Sequence, residues 1–204
     1  MVKKVERSGG KYITREELKL WSDEADIRYL SAVGYLNANK YILRIMRGVF
    51  YVKSIEERKL DKLDVNHLEA IKKALTLKKV ENWYYGLETA ASLNNLTHEY
   101  FTTTFVISDS IGRPNAFEIL GHKVKFIRVS KRLFGFGIVK DKLNYSDPEK
   151  TVLDMIYLSR YNSLTESEVV GRVSDILEHC SEGKLEAYAR RYPRSVEKFL
   201  EGIK

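Results

Sequence analysis

The chain has 204 residues, 44% hydrophobic and 31% charged, with a net charge of +7 at pH 7. That length suits one domain, or a small domain plus a medium one, and the composition suits a soluble globular chain able to bury a core. No run approaches the ~20 apolar residues of a membrane span, the N-terminus lacks the apolar stretch of a secretory signal, and the single cysteine, Cys180, excludes an internal disulfide; a cytoplasmic protein with no membrane partner is expected.

Met1 to Tyr12 is polar and broken by Gly9-Gly10, which predicts a mobile basic arm (Lys3, Lys4, Arg7, Lys11) in place of a helix. A first helix follows. Thr14 and Glu17 have the spacing of a capping box, with Ile13 and Leu18 placed as a hydrophobic staple. Ser22 or Asp23 then caps a second helix running to about Asn39. At 100° per residue, Tyr29, Leu30, Val33 and Gly34 gather on its inner side, with Arg28, Ser31, Ala32, Tyr35 and Asn39 opposite. That outer face carries one cation and no acid, a composition that suits the major groove, where small side chains permit close approach and Arg pairs with guanine.

Residues Tyr41 to Val52 read as two β-rich runs about a tight turn at Arg47-Gly48. Arg44 and Arg47 then sit where the wing of a winged helix-turn-helix meets phosphate or the minor groove. The alternative is an ordinary helix and hairpin whose arginines are merely solvated. Charge favours the DNA reading: residues 1–58 hold twelve Lys and Arg against eight Asp and Glu, and the remaining 146 hold 23 against 20. A domain boundary is placed near residue 58.

Beyond it the pattern is mixed. An amphipathic helix is predicted over Val65–Lys79, an apolar run at Trp83–Tyr85, and helical composition over Leu87–Leu96. Strands are predicted at Phe101–Ile107, at Lys123–Val129 with a bulge between Phe126 and Ile127, and at Leu133–Val139. Asp147-Pro148 opens a helix as N-cap and first-turn proline. Helices at Glu166–His179, at Leu185–Arg191 and after Pro193 complete the chain. The fold class is α+β: an N-terminal winged helix-turn-helix over 1–58, then a mixed α/β domain over 59–204 ending in helices.

Three blocks, Trp83 to Thr97, Val124 to Phe134 and Ser146 to Asp154, resemble the AbiEi-type antitoxins of abortive-infection, or type IV, toxin–antitoxin systems. In that family they follow an N-terminal winged helix whose wing ends in an Arg-Gly-aromatic stretch, the place held here by Arg47-Gly48-Val49-Phe50-Tyr51. The resemblance spans about residues 12 to 160. It implies binding of inverted repeats in the chain's own promoter, repression of the operon, and antagonism of a cognate nucleotidyltransferase-like toxin. The same architecture also occurs in stand-alone transcriptional regulators.

An enzyme is not expected. The chain lacks a Gly-Ser turn followed by paired carboxylates, a phosphate-binding loop and a His-Glu-x-x-His helix. His67, His98, His122 and His179 are scattered without metal-ligand spacing, so neither metal nor cofactor is expected. Asp147, Glu149 and Asp154 read as helix-start carboxylates, and Cys180 as a non-catalytic thiol. Lys123, Lys125, Arg128, Lys131 and Arg132 form a second basic group, either solvated or engaging an acidic toxin surface or a phosphate-bearing ligand. The expected partners are double-stranded DNA and a toxin protein, with the chain a monomer or a homodimer.

Overall fold

The structure is a computed structural model that describes residues 1–7, 10–159 and 164–203. Gly9, expected to break the N-terminal arm, and Arg160, where the family resemblance ends, lie outside the described residues. The fold is mixed α and β, with ten α-helices, one three-residue 3-10 turn and nine strands in two sheets among the described residues. None of the described helices is long and apolar enough to cross a membrane.

The chain divides into two compact units, one formed by Met1–Glu81 with Ile119–Gly121 and the other by Asn82–Glu118 with His122–Lys204. The expected boundary at residue 58 falls inside a helix of the first unit. That unit runs α1 (Val2–Arg7), β1 (Tyr12–Thr14), α2 (Arg15–Glu24), α3 (Tyr29–Ala38), β2 (Ile42–Met46), β3 (Val49–Val52), α4 (Ile55–Leu60) and α5 (His67–Leu77). Its antiparallel sheet has the order β1-β3-β2.

Residue 58 is no boundary because of Glu57. Its carboxylate accepts hydrogen bonds from Tyr51 Oη (2.6 Å), the Ser54 N–H (2.7 Å) and the Asp64 N–H (2.8 Å). β3, the start of α4 and the chain beyond it are thereby tied together. Burial pushes this carboxyl's pKa up, but the hydrogen bonds from Tyr51, Asp64 and Ser54 more than offset that and hold it below the ordinary value.

The mobile-arm expectation fails at α1. Val5 is 1% exposed and packs in a core with Ile13, Leu18, Leu36, Ile42 and Phe50, against which Met1 and Val2 also lie. Six residues cannot sustain a helix through propensity; tertiary burial of Val2 and Val5, three residues apart on one face, holds it. Two of its charged side chains are held too: Lys4 pairs with Glu24, and Glu6 with Arg58 at 2.6 Å.

The second unit contains β4 (Trp83–Tyr85), α6 (Leu87–Leu93), β5 (Thr103–Ser108), β6 (Phe117–Ile119), β7 (His122–Arg128), β8 (Ile138–Lys140), β9 (Asn144–Ser146) and helices α7 (Pro148–Ser159), α8 (Glu166–Leu177), α9 (Glu182–Ala189) and α10 (Arg194–Ile203). Its sheet has the order β6-β7-β5-β4-β9-β8, parallel at β5/β7 and β4/β9 and antiparallel at β4/β5 and β8/β9.

Two strand expectations are corrected. β7 pairs with β5 in unbroken register from Lys123 to Arg128, so no bulge separates Phe126 from Ile127; the apparent slip is a half-buried Ile127 on the face opposite Phe126. The strand predicted over Leu133–Val139 is instead a 3-10 turn at Lys131–Leu133, a loop, and the short β8. Gly135 (φ +90) and Gly137 (φ +59) break it. A Cβ on Gly137 would lie 2.7 Å from Lys150 Cβ, so this loop closes on α7 only because the residue is glycine. β9 was not foreseen.

Val5→Ala should destabilise the N-terminal unit by about 1–2 kcal/mol, the loss of two buried methyl groups, lowering its melting temperature by roughly 4–8 °C per kcal/mol. Thermal denaturation checks this. An unchanged melting temperature would restore the mobile-arm reading.

Candidate nucleic-acid interface

The interface is assembled by caps and short connections in the first unit. Thr14 caps α2: its Oγ1 accepts the Glu17 N–H at 3.3 Å, while the Glu17 carboxylate accepts the Thr14 N–H at 2.7 Å. The Arg15 N–H donates to the Gly48 carbonyl at 2.8 Å, fixing the hairpin tip against the start of α2. Gly48 has φ +80, the left-handed conformation that lets this two-residue turn close. An irregularity between Arg44 and Met46 leaves Ile45 as the extra, buried residue of the hairpin.

The second helix, expected to be capped by Ser22 or Asp23, starts later, at Tyr29. Ser22 lies inside α2, where its Oγ donates to the Leu18 carbonyl at 2.6 Å. Asp26, at φ 53, begins the reversal, and α3 starts at Tyr29 with Arg28 in the N-cap position and no side-chain cap.

The face of α3 is turned relative to expectation. Ala32 is 3% exposed and Leu36 fully buried, with Tyr29 and Val33 half-buried beside them. Leu30 (78%), Tyr35 (55%) and Ile27 (41%) are exposed, as are Ser31, Gly34 and Ala38. Ala32 therefore leaves the outer face, while Leu30 and Gly34 join it. α3 packs against α2 and β2 with the small Ala32 on its buried side, where a short side chain allows close approach, and Leu30 lies outside. Asn39 is exposed, but its Nδ2 donates to the Tyr35 carbonyl at 2.9 Å and so closes the C-terminal end of α3. Arg28, Arg44 and Arg47 are all exposed.

The second unit separates the basic group of five. Lys123, Arg128, Lys131 and Arg132 are exposed and Lys125 is half-buried; of the five, Lys125, Arg128 and Lys131 line an open cleft. Asp147 acts as expected at the start of α7, its Oδ1 accepting the Lys150 N–H at 2.9 Å. Glu149 and Asp154 do more than complement the helix start. Glu149 accepts the Ser181 N–H and Lys184 Nζ, each at 3.0 Å.

Asp154 is fully buried and accepts from Tyr192 Oη (2.7 Å), Tyr84 Oη (2.8 Å) and Lys150 Nζ (3.5 Å). The Lys150 ammonium, also fully buried, donates to the Leu133 carbonyl at 2.8 Å and lies 4.5 Å from the Phe136 ring centroid. Burial lowers the Lys150 pKa against the opposing effect of Asp154, and burial with Asp154 raises both tyrosines well above their ordinary value. Buried as it is, this cluster joins β4, α7 and the connection between α9 and α10 as a structural clamp. Lys150 and Asp154 are four residues apart on α7, but no local spacing links Tyr84 and Tyr192 to them, so the cluster as a whole is not visible in the sequence.

Cys180 Sγ donates to the Ile176 carbonyl at 3.4 Å, and burial with the nearby Glu149 and Asp147 pushes the thiol up to about 12, which makes it a poor nucleophile. Among the described residues no three His, Cys, Asp or Glu side chains are placed to hold a metal ion.

No protein-family model matches the chain. No curated protein matches it either. Among solved structures, the RV2827C protein from Mycobacterium tuberculosis is similar, with a TM-score of 0.61 over 99% of this chain and 74% of that one. At 13% identity the likeness concerns the fold alone.

Burial raises the Glu149 pKa, but hydrogen bonds from Ser181 and Lys184 outweigh it and hold the carboxyl below its ordinary 4.5. A depressed folded-state value stabilises above the unfolded value and is lost as pH falls through the folded one. Glu149→Gln should therefore destabilise by about 1–2 kcal/mol at pH 7. The difference from the native chain should shrink as pH drops below 4.5. Urea denaturation at neutral and acid pH measures both; a constant difference would mean Glu149 is not ionised in the fold.

Proposed function

We propose that the chain is a sequence-specific DNA-binding regulator whose N-terminal unit is a winged helix-turn-helix. The observation that carries this reading is the acid-free outer face of α3, exposed next to a hairpin with Arg44 and Arg47 in solvent. The element order supports it: helix, strand, two helices joined by a short turn, then a hairpin. In this reading α3 enters the major groove with Leu30, Ser31, Gly34 and Tyr35, and Arg28 stands at its N-terminal end. Arg44 and Arg47 hold phosphate. Two copies on an inverted repeat match the two-fold symmetry of such a site.

The resemblance to AbiEi-type antitoxins supports the fuller proposal. The chain represses its own operon and its C-terminal unit antagonises a nucleotidyltransferase-like toxin, with the solvent-facing Lys123 and Arg132 as contacts for an acidic toxin surface. Co-expression of the full chain with the adjacent open reading frame separates this from the stand-alone regulator: rescue of growth supports the antitoxin, and a harmless neighbour removes the toxin from the proposal.

Mobility-shift titrations of the upstream DNA at several salt concentrations test the DNA surface. Arg44→Ala and Arg47→Ala should weaken all DNA binding and each lower the salt slope by about one. Arg28→Ala and Tyr35→Ala should weaken specific binding by about 1–3 kcal/mol while leaving non-specific binding in place. Unchanged affinity in all four variants would move the DNA surface elsewhere.

A further inference from the structure

The second unit holds an open cleft of about 960 Å³ between the sheet and helices α7 and α8. That is the upper end of the ~300–1,000 Å³ range of small-molecule sites. Its apolar wall comes from β5 and β7 (Phe105, Ile127) and from α7 (Met155, Leu158). Cations reach it from four separate segments: Arg113 from the loop after β5, Lys125 and Arg128 from β7, Lys131 from the 3-10 turn and Arg172 from α8. Among the described residues Asp109 is the one carboxylate on its wall, and that group accepts a hydrogen bond from Asn82 Nδ2 at 2.7 Å.

What distinguishes this cleft from a solvated basic face is how the cations are held. Arg128 Nε donates to the Asp109 carbonyl at 3.0 Å, and Lys125 Nζ to the Pro114 carbonyl. The Arg113 guanidinium lies over the Phe117 ring, 4.5 Å from its centroid. Neutral partners thus fix these three side chains without compensating their charge. Among the described residues none of Arg113, Lys125, Arg128 and Lys131 forms an ion pair; of the five, Arg172 alone does, with Glu88. Pre-placed, uncompensated charge next to an apolar wall fits a ligand that carries concentrated negative charge on an organic body able to cover that wall.

We propose that this cleft binds an organic phosphate of the nucleotide class. A bare inorganic anion leaves the apolar wall unused, and an uncharged flat molecule leaves the cations unmatched. The proposal is independent of the DNA reading, which concerns the other unit.

Fluorescence titration of the full chain with N-methylanthraniloyl-ADP tests it, with unlabelled ADP, adenosine and inorganic pyrophosphate as competitors. Saturable binding is expected, displaced by ADP, with adenosine and pyrophosphate each competing at least about tenfold less well. Lys131→Met and Arg128→Met should each weaken binding by about tenfold, while Lys123→Met and Arg132→Met, outside the cleft, should leave it unchanged. Because Arg128 also bonds the Asp109 carbonyl, the Lys131 variant, with a thermal melt matching the native chain, is the decisive one. The proposal is overturned by an absence of saturable binding or by equal weakening from the Lys123 and Arg132 variants. Pyrophosphate competing as well as ADP would also overturn it, showing a simple anion site.

Discussion

The burial of Ala32 and Leu36, with Tyr29 and Val33 beside them, sets which side chains α3 offers to solvent. A helix of ten residues has one stripe it can hide, and the positions i, i+3, i+4 and i+7 here put the smallest of them at its centre. Once that stripe is packed on α2 and β2, the rotation of α3 is fixed, and Leu30, Ser31, Gly34 and Tyr35 are outside by necessity. The rest of the first unit keeps that arrangement in place. α1 adds Val5 to the same core, the Thr14 cap starts α2 at a defined residue, and the Arg15–Gly48 hydrogen bond holds the hairpin tip. An outer face made this way is rigid because its back is the core.

The second unit is organised around an opposite device, a buried charge. Lys150 and Asp154 are removed from water, which costs more than their mutual attraction returns unless every remaining donor and acceptor is matched. Here Leu133, Tyr84, Tyr192 and the Phe136 ring do the matching. A network of that kind adds specificity of packing more than stability, since a shifted α7 would strand a charge. It places α7 against the sheet, and α7 in turn carries Met155 and Leu158 to the wall of the cleft.

Local chemistry was legible in the sequence and long-range convergence was not. The capping box of Thr14 and Glu17, the cap at Asp147 and the hairpin turn at Arg47-Gly48 were read correctly, because each is decided by residues within a few positions of one another. α5 was foreseen from Leu68, Ile71 and Leu75, and its ends fell within two residues of Val65–Lys79. α1 was missed because six polar-looking residues become a helix only when Val5 has a core to enter. The phase of α3 was misjudged by treating Leu30 as necessarily inside and Ala32 as free to be outside; size complementarity, not hydrophobicity, decided it. Gly135 and Gly137 fall inside the strand expected over Leu133–Val139, and their positive φ values leave only its end, in β8, extended. Nothing in sequence spacing joins Arg172 to the basic residues of β7.

The most direct measurement of the central claim is an amide chemical-shift titration of the full chain with a duplex selected from random sequence for tight binding. The expected result is a set of perturbations confined to residues 28–38 of α3 and its N-cap and 44–48 of the hairpin, saturating at one chain per half-site. Failure to select any duplex, or perturbations mapping to the six-stranded sheet and its helices instead, would contradict the assignment of the first unit as the DNA-reading module.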